Sequence, residues 1–222
     1  MKNSPLRSFS LKVFIFVVIS ASSFLAMAEQ DIFVGKRILI VYFSQPEDVS
    51  LEGADGISGA SVLEKNKERV GSTQYIAQLI QQQTGGDLFR IETVTPYPLQ
   101  HDALLKYAEE EQKVNARPVM RTKVENLNNY DTIFIGYPIW WYKMPMVLYS
   151  FLEQHDLQGK NIIPFTTHGG SRFSDSLVEI ERLQPNSKLI KEGLSISRDD
   201  VKDDETVTDV INWLGKLSLE VK

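Results

Sequence analysis

The chain has no cysteine among its 222 residues. That one absence removes disulfides, thiolate metal sites, cysteine nucleophiles and dithiol redox chemistry together, so any redox work must come from a bound cofactor. Histidine is scarce as well: His101, His155 and His168 are the three present, scattered without ligand spacing, which argues against a metal centre. His101 and His155 fall on predicted helices and are read as surface residues. Neither G-x-G-x-x-G nor G-x-x-x-x-G-K-[ST] occurs, so the usual dinucleotide and nucleoside-triphosphate loops are missing. His168-Gly169-Gly170-Ser171 has the look of an oxyanion loop, yet no G-x-S-x-G nucleophile elbow accompanies it. A basic excess is missing too: the formal net charge is −5, which argues against a nucleic-acid or anionic-membrane surface.

What is present begins with a processing signal. Lys2, Arg7 and Lys12 precede an apolar run from Val13 to Leu25, and Ala26-Met27-Ala28 follows with the small-x-small pattern of signal cleavage. The run is too short to span a bilayer comfortably. Residues 1–28 therefore read as a signal peptide, and 29–222 as one domain of 194 residues without stable membrane insertion; an uncleaved N-terminal anchor is the alternative. Cleavage takes away three basic and no acidic residues and moves the net charge from −5 to −8. The absence of a cysteine after the run excludes lipoprotein anchoring. Arg7 has no arginine beside it, so the expectation is export as an unfolded chain to the periplasm, with any noncovalent cofactor loaded after translocation.

Beyond residue 36, apolar strands alternate with amphipathic helices. Strands are predicted at Arg37–Ser44, Asp87–Ile91, Thr132–Gly136 and Asn161–Phe165, with a last strand over Lys188–Ile196 broken around Gly193. Helices are predicted at Thr73–Gln83, stopped by Gly85-Gly86, and at His101–Val114, a charged surface helix. Three more follow: Met144 or Pro145 to His155, Asp175–Leu183, and Asp204–Leu217 with Val207, Val210, Ile211 and Leu214 on one face. Such alternation implies an α/β fold with a parallel sheet covered on both faces, and five strands suit the order 2-1-3-4-5. An insertion over 45–70 separates the first strand from the first helix. Within it, Ser61–Val70 is predicted to form a hairpin turning near Asn66, leaving Asp48–Gly59 as a loop.

In such sheets ligands sit outside the carboxyl ends of the strands. Two loops fall there. Tyr137-Pro138-Ile139-Trp140-Trp141-Tyr142 follows one strand, and Thr166-Thr167-His168-Gly169-Gly170-Ser171 follows the next. Together they suggest a crevice for a flat aromatic ligand, because indole and phenol rings supply stacking faces and glycines allow close backbone approach. A third element is Ser44 at the end of the first strand, facing Gly71-Ser72-Thr73 at the start of the first helix, where free N–H groups and hydroxyls can hold a phosphate. Each element also has a plainer reading: Gly-Ser-Thr as an ordinary helix cap, Trp140-Trp141 as core, Tyr137-Pro138 as a strand end.

These residues resemble the flavodoxin-like FMN-binding family, in the branch with Tyr-Phe-Ser, Gly-Asn-Thr, Gly-Tyr-Pro-Ile-Trp-Trp and Pro-Phe-x-Thr-His-Gly-Gly-Ser. Here they stand as Tyr42-Phe43-Ser44, Gly71-Ser72-Thr73, Gly136 to Trp141 and Pro164 to Ser171. Gly86 to Glu92 and Pro96-Tyr97-Pro98 add to the likeness, which runs from Arg37 to Leu217. The resemblance implies a flavodoxin-like three-layer sandwich and FMN as cofactor. It implies that Ser44, Ser72 and Thr73 bind the phosphate, that Pro138, Ile139, Trp140, Trp141 and Tyr142 border the isoalloxazine, and that Thr167, His168, Gly169 and Gly170 line its other side. Two departures stand out: Ser72 replaces the branch's usual Asn, and the 45–70 insertion replaces a short phosphate loop. A receiver domain shares this topology but needs paired acids where this chain has Tyr42, Phe43 and Ser44.

The functional expectation is an FMN-binding redox protein with no catalytic side chain of its own. Two versions stay open: an electron-transfer module docking on a redox partner protein, and an FMN-dependent NAD(P)H:quinone-type reductase serving a small-molecule acceptor. An FMN-free binding module is the third reading, and it requires that the three loops fail to converge.

Overall fold

The computed structural model describes residue 33 and residues 35–46, 61–65, 68–202 and 204–217. The expected signal segment, residues 1–28, and the expected loop over 48–59 lie outside the described residues. In chain order the elements are β1 (Ile38–Tyr42), β2 (Val62–Lys65), β3 (Glu68–Gly71), α1 (Ser72–Thr84), β4 (Asp87–Arg90) and α2 (His101–Lys113). Then come β5 (Thr132–Pro138), α3 (Met146–Gln154), β6 (Asn161–His168), α4 (Ser176–Leu183), β7 (Lys188–Leu189), β8 (Leu194–Ser197) and α5 (Glu205–Leu217).

β1 is buried along its whole length because both sheet faces are covered. Its alternate side chains feed two cores. Ile38 and Ile40, with Phe134, Ile163 and Phe165, meet Ile76 and Ile80 of α1 and Val210, Trp213 and Leu214 of α5. Leu39 and Val41, with Ile133 and Ile135, meet Leu104 of α2, Val147 and Phe151 of α3 and Ile180 of α4. The main sheet runs β4-β1-β5-β6-β7, with β8 also on β6, and every pairing in it is parallel. That is the 2-1-3-4-5 order with its fifth strand in two pieces, interrupted at residues 190–193. The predicted hairpin is present as the antiparallel pair β2–β3. Among the described residues no helix is long and apolar enough to cross a membrane.

Four features differ from the sequence reading. β5 and β6 extend past Gly136 and Phe165, so Pro138, Thr167 and His168 are strand residues, and Pro138 pairs in register with Thr167. On α5 the buried stripe is Thr206, Val210, Trp213, Leu214 and Leu217, while Ile211 is half-exposed; the helix has turned by one residue to bury an indole, the larger apolar surface. His155 is buried at 8% exposure and stacks on Phe151 at 4.4 Å, where a surface position was expected. The cause is α3 itself, buried from Met146 through Leu152, which carries the residue at its C-terminus into the core. α2 is not wholly a surface helix either, for Glu111 is buried and accepts a 2.9 Å hydrogen bond from the Tyr97 hydroxyl.

Candidate functional site

The Pro138–Thr167 register sets the two loop motifs side by side at the carboxyl edge of the sheet. Ile139 N–H continues the ladder to the Thr167 carbonyl at 3.0 Å. After Ile139 the chain reverses in a two-residue turn: Trp140 and Lys143 exchange both backbone hydrogen bonds at 3.0 Å. Its central residues, Trp141 and Tyr142, have φ of 47° and 63°. Turns of this type need positive φ at both central positions, which favours Asn and Gly rather than aromatics. Large side chains held there are a departure of the kind that collects at functional sites. Both rings stay out in solvent, Trp141 at 46% and Tyr142 at 71% exposure. The turn is tied to α2 twice, by Trp141 Nε1 donating to the Leu105 carbonyl at 2.9 Å and by Gln112 Nε2 donating to the Trp140 carbonyl at 2.8 Å.

Trp140 behaves differently from its neighbours. It is buried, with its ring edge-on to Phe43 at 5.4 Å and to Tyr97 at 5.3 Å. The side chain is therefore largely core, although part of it reaches the cavity wall.

Across the crevice, β6 ends in His168. Its Nδ1 accepts the Gly170 N–H at 2.8 Å, so the ring proton sits on Nε2. Burial, and after it the Arg172 guanidinium, pushes the imidazole pKa below its ordinary value; Arg198 adds to this and Asp200 opposes it. A neutral imidazole follows at neutral pH. Gly170 has φ of +114°, a conformation that side-chain-bearing residues rarely adopt.

The third element lies at the N-terminus of α1. Ser44 Oγ accepts the Gln74 N–H at 3.2 Å, capping the helix from the end of β1, and a Cβ at Gly71 would collide with that hydroxyl. Thr73 Oγ1 and Thr167 Oγ1 share a 2.8 Å hydrogen bond that joins α1 to β6. Ser72 Oγ is buried with no partner among the described residues. No acidic residue stands in the first turn of α1, so its positive end is not neutralised from within.

A cavity of about 400 Å³ lies between these parts. Pro138, Ile139, Trp140, Trp141 and Tyr142 form one wall, and Thr167, His168, Gly169 and Gly170 the other. Ser44, Gly71, Ser72 and Thr73 do not line it; they sit behind Thr167, joined to it by the Thr73 hydroxyl. Sequence reasoning missed Ser61, His101, Leu104, Leu105, Ser171 and Arg198, all of which line the cavity. Arg198 follows β8 at the same sheet edge, so the rule that ligands gather at strand carboxyl ends could have found it. Nothing local marks the α2 residues, because the sheet's crossover geometry alone brings that helix over the turn. His101, expected on the surface, is thus a wall residue.

Fold and site together define a doubly wound α/β protein with a ligand crevice at the carboxyl edge of its parallel sheet. The family model for flavodoxin matches residues 63–216. The chain belongs to the flavodoxin family. Among solved structures it is similar to a candidate flavoprotein from Bacteroides eggerthii, at 27% identity and TM-score 0.56 over 80% of this chain and 98% of that one. A second, from Bacteroides uniformis, has 27% identity and TM-score 0.54 over 76% and 96%. A flavoprotein from Lactobacillus acidophilus, solved in complex with FMN, shares the fold at 19% identity and TM-score 0.50 over 77% and 97%. No curated protein matches the chain.

Proposed function

We propose that this protein binds FMN noncovalently and works as an exported redox protein, exchanging electrons with a partner protein. The observation that carries this reading is the 400 Å³ cavity between two exposed aromatic rings and the His168-Gly169-Gly170 backbone, set beside a helix N-terminus with a buried hydroxyl to spare. The donor set suits the ligand. A phosphate dianion in a net-negative protein is held by helix N–H groups and hydroxyls, and Ser72, Thr73 and Ser44 supply them at α1. The flavin ring stacks against Trp141 and Tyr142, which the turn holds at the rim. His168, neutral with Nε2–H, serves as a hydrogen-bond donor to the ring and not as a cation. FMN when bound supplies the electron and hydride chemistry; the protein sets its orientation, access and potential.

An absorption spectrum of the mature protein with and without added FMN, followed by titration of FMN against riboflavin, tests the reading. FMN bound much more tightly than riboflavin supports it; equal binding, or none, overturns it. A reductase is the second reading, favoured by the His101, Leu104 and Leu105 wall, which adds an apolar face beyond the residues expected to hold the cofactor. Prompt FMN-dependent oxidation of NADH or NADPH with a quinone acceptor selects the reductase, and inertness selects the carrier. Export is tested by fractionation of a C-terminally tagged chain, expected in the periplasm without Met1.

A further inference from the structure

The Trp141-Tyr142 turn is held against its own preferences. Both rings are exposed, so burial adds little to fix them, and both residues keep a positive φ that aromatic residues rarely adopt. Relaxing φ at Trp141 means rotating the peptide plane that joins Trp140 to Trp141. The carbonyl of that plane is the one Gln112 reaches: it accepts the Lys143 N–H at 3.0 Å from within the turn and Gln112 Nε2–H at 2.8 Å from α2. The plane cannot rotate without losing both bonds. Trp141 is tied at its other end too, where Nε1 donates to the Leu105 carbonyl at 2.9 Å. α2 gives these bonds a fixed base. Its Leu104 and Ala108 are buried in the core, and Glu111, next to Gln112, is buried and accepts the Tyr97 hydroxyl at 2.9 Å. Gln112 itself is half-buried and does not line the cavity.

We propose that Gln112 is a positioning residue for the flavin ring: without touching the ligand, it fixes the Trp140–Trp141 peptide and so keeps Trp141 and Tyr142 set as a stacking wall before the ligand arrives. The inference rests on the FMN reading above. Side chains ordered in advance lower the cost of ordering them on binding, and that gain appears as affinity. Gln112 acts on the ring side of the site alone. FMN and riboflavin carry the same ring, so both gain equally from it, whereas the hydroxyls at the N-terminus of α1 act on the phosphate and favour FMN. The amide carries no charge, so its effect is not screened by salt as a surface ion pair is.

The test compares Gln112→Met, which keeps the length of the side chain and removes the donor, and Gln112→Lys, which keeps a donor, with the unmutated protein. Fluorescence titration reads FMN and riboflavin affinity in each. Gln112→Met is expected to weaken both ligands by about fivefold, the scale of one hydrogen bond, and to leave the ratio of FMN to riboflavin affinity unchanged. Gln112→Lys should keep most of the affinity for riboflavin, the ligand without a phosphate. In a Trp141→Ala/Tyr142→Ala background Gln112→Met should have no further effect, because no wall is left to position. Near-ultraviolet circular dichroism of the ligand-free chain reads the turn directly, and Gln112→Met should alter its tryptophan bands. Unchanged affinity for both flavins, a loss as large in Gln112→Lys, a loss that persists in the double-alanine background, or unchanged tryptophan bands overturns the role of Gln112. Failure of the unmutated protein to bind either flavin overturns the FMN reading itself.

Discussion

At the scale of single residues, the Thr73 hydroxyl is the hinge between the helix terminus and the cavity, since it bonds Thr167 Oγ1 at 2.8 Å. Thr73→Ala should weaken FMN by about 1.5 to 3 kcal/mol, the range for hydrogen bonds to charged groups, and riboflavin far less. Thr73→Ser, which retains the hydroxyl, should bind both nearly as the parent does. Equal loss for both ligands in calorimetric titration would place Thr73 outside the phosphate site. Under the proposed function Trp141 rather than Trp140 is the expected ring contact, because Trp140 is buried in T-shaped contacts with Phe43 and Tyr97. Trp141→Ala should cost FMN about 1 to 3 kcal/mol, the range for stacking on a flat base, with little change in thermal stability at a site 46% exposed. Trp140→Ala should instead lower the melting temperature. The sequence brought the two tryptophans together without ranking them; only the packing distinguishes wall from core.

At the scale of elements, the Trp140–Lys143 turn holds two aromatic residues in the left-handed region, at roughly 1 to 2 kcal/mol each for side-chain-bearing residues. Tyr142→Gly should therefore raise the unfolding free energy by about 1 kcal/mol while weakening flavin binding. Urea denaturation reads the first effect and FMN titration the second, and a variant that is no more stable would show that the turn stores no strain. α5 makes the complementary point in the core. Trp213 is 9% exposed, edge-on to Phe134 at 5.8 Å, and donates Nε1–H to the Glu192 carbonyl at 2.7 Å. Trp213→Ala should cost about 3 to 5 kcal/mol, measured by the same denaturation. Helix existence was legible in the spacing of Val207, Val210 and Leu214, but a stripe one residue wide of the true one fits the same pattern. The edge-on contact of Trp213 with Phe134 chose between them.

At the scale of the whole molecule, burial lowers the pKa of both His155 and His168 below their ordinary value. The unfolded chain then binds more protons than the folded one as pH falls below about 6.5, the ordinary histidine value. Stability should hold above that value and decline on acidification below it, until the folded-state histidines also protonate. His155 Nδ1 donates to the Phe151 carbonyl, and its Nε2 has no partner among the described residues. His155→Phe keeps a ring against Phe151 and should flatten part of the decline between pH 7 and 5 in a series of thermal melts. A curve identical to the parent's would mean that His155 is not a source of the pH dependence.

The sequence by itself determined the alternation of strands and helices, the parallel sheet and its order, and the two motifs that would meet at the sheet's carboxyl edge, because hydrophobic periodicity and Gly or Pro punctuation are local signals. It carried the hairpin of β2 and β3 for the same reason. Only the tertiary structure decided which side chains the site uses. Pro138 opposite Thr167, α2 drawn over the aromatic turn, Arg198 pressed against Gly169 and His155 folded into the core all depend on contacts between residues distant in the chain. Such contacts leave no trace in local periodicity, since they are set by how the strands register and where the crossover helices come to rest.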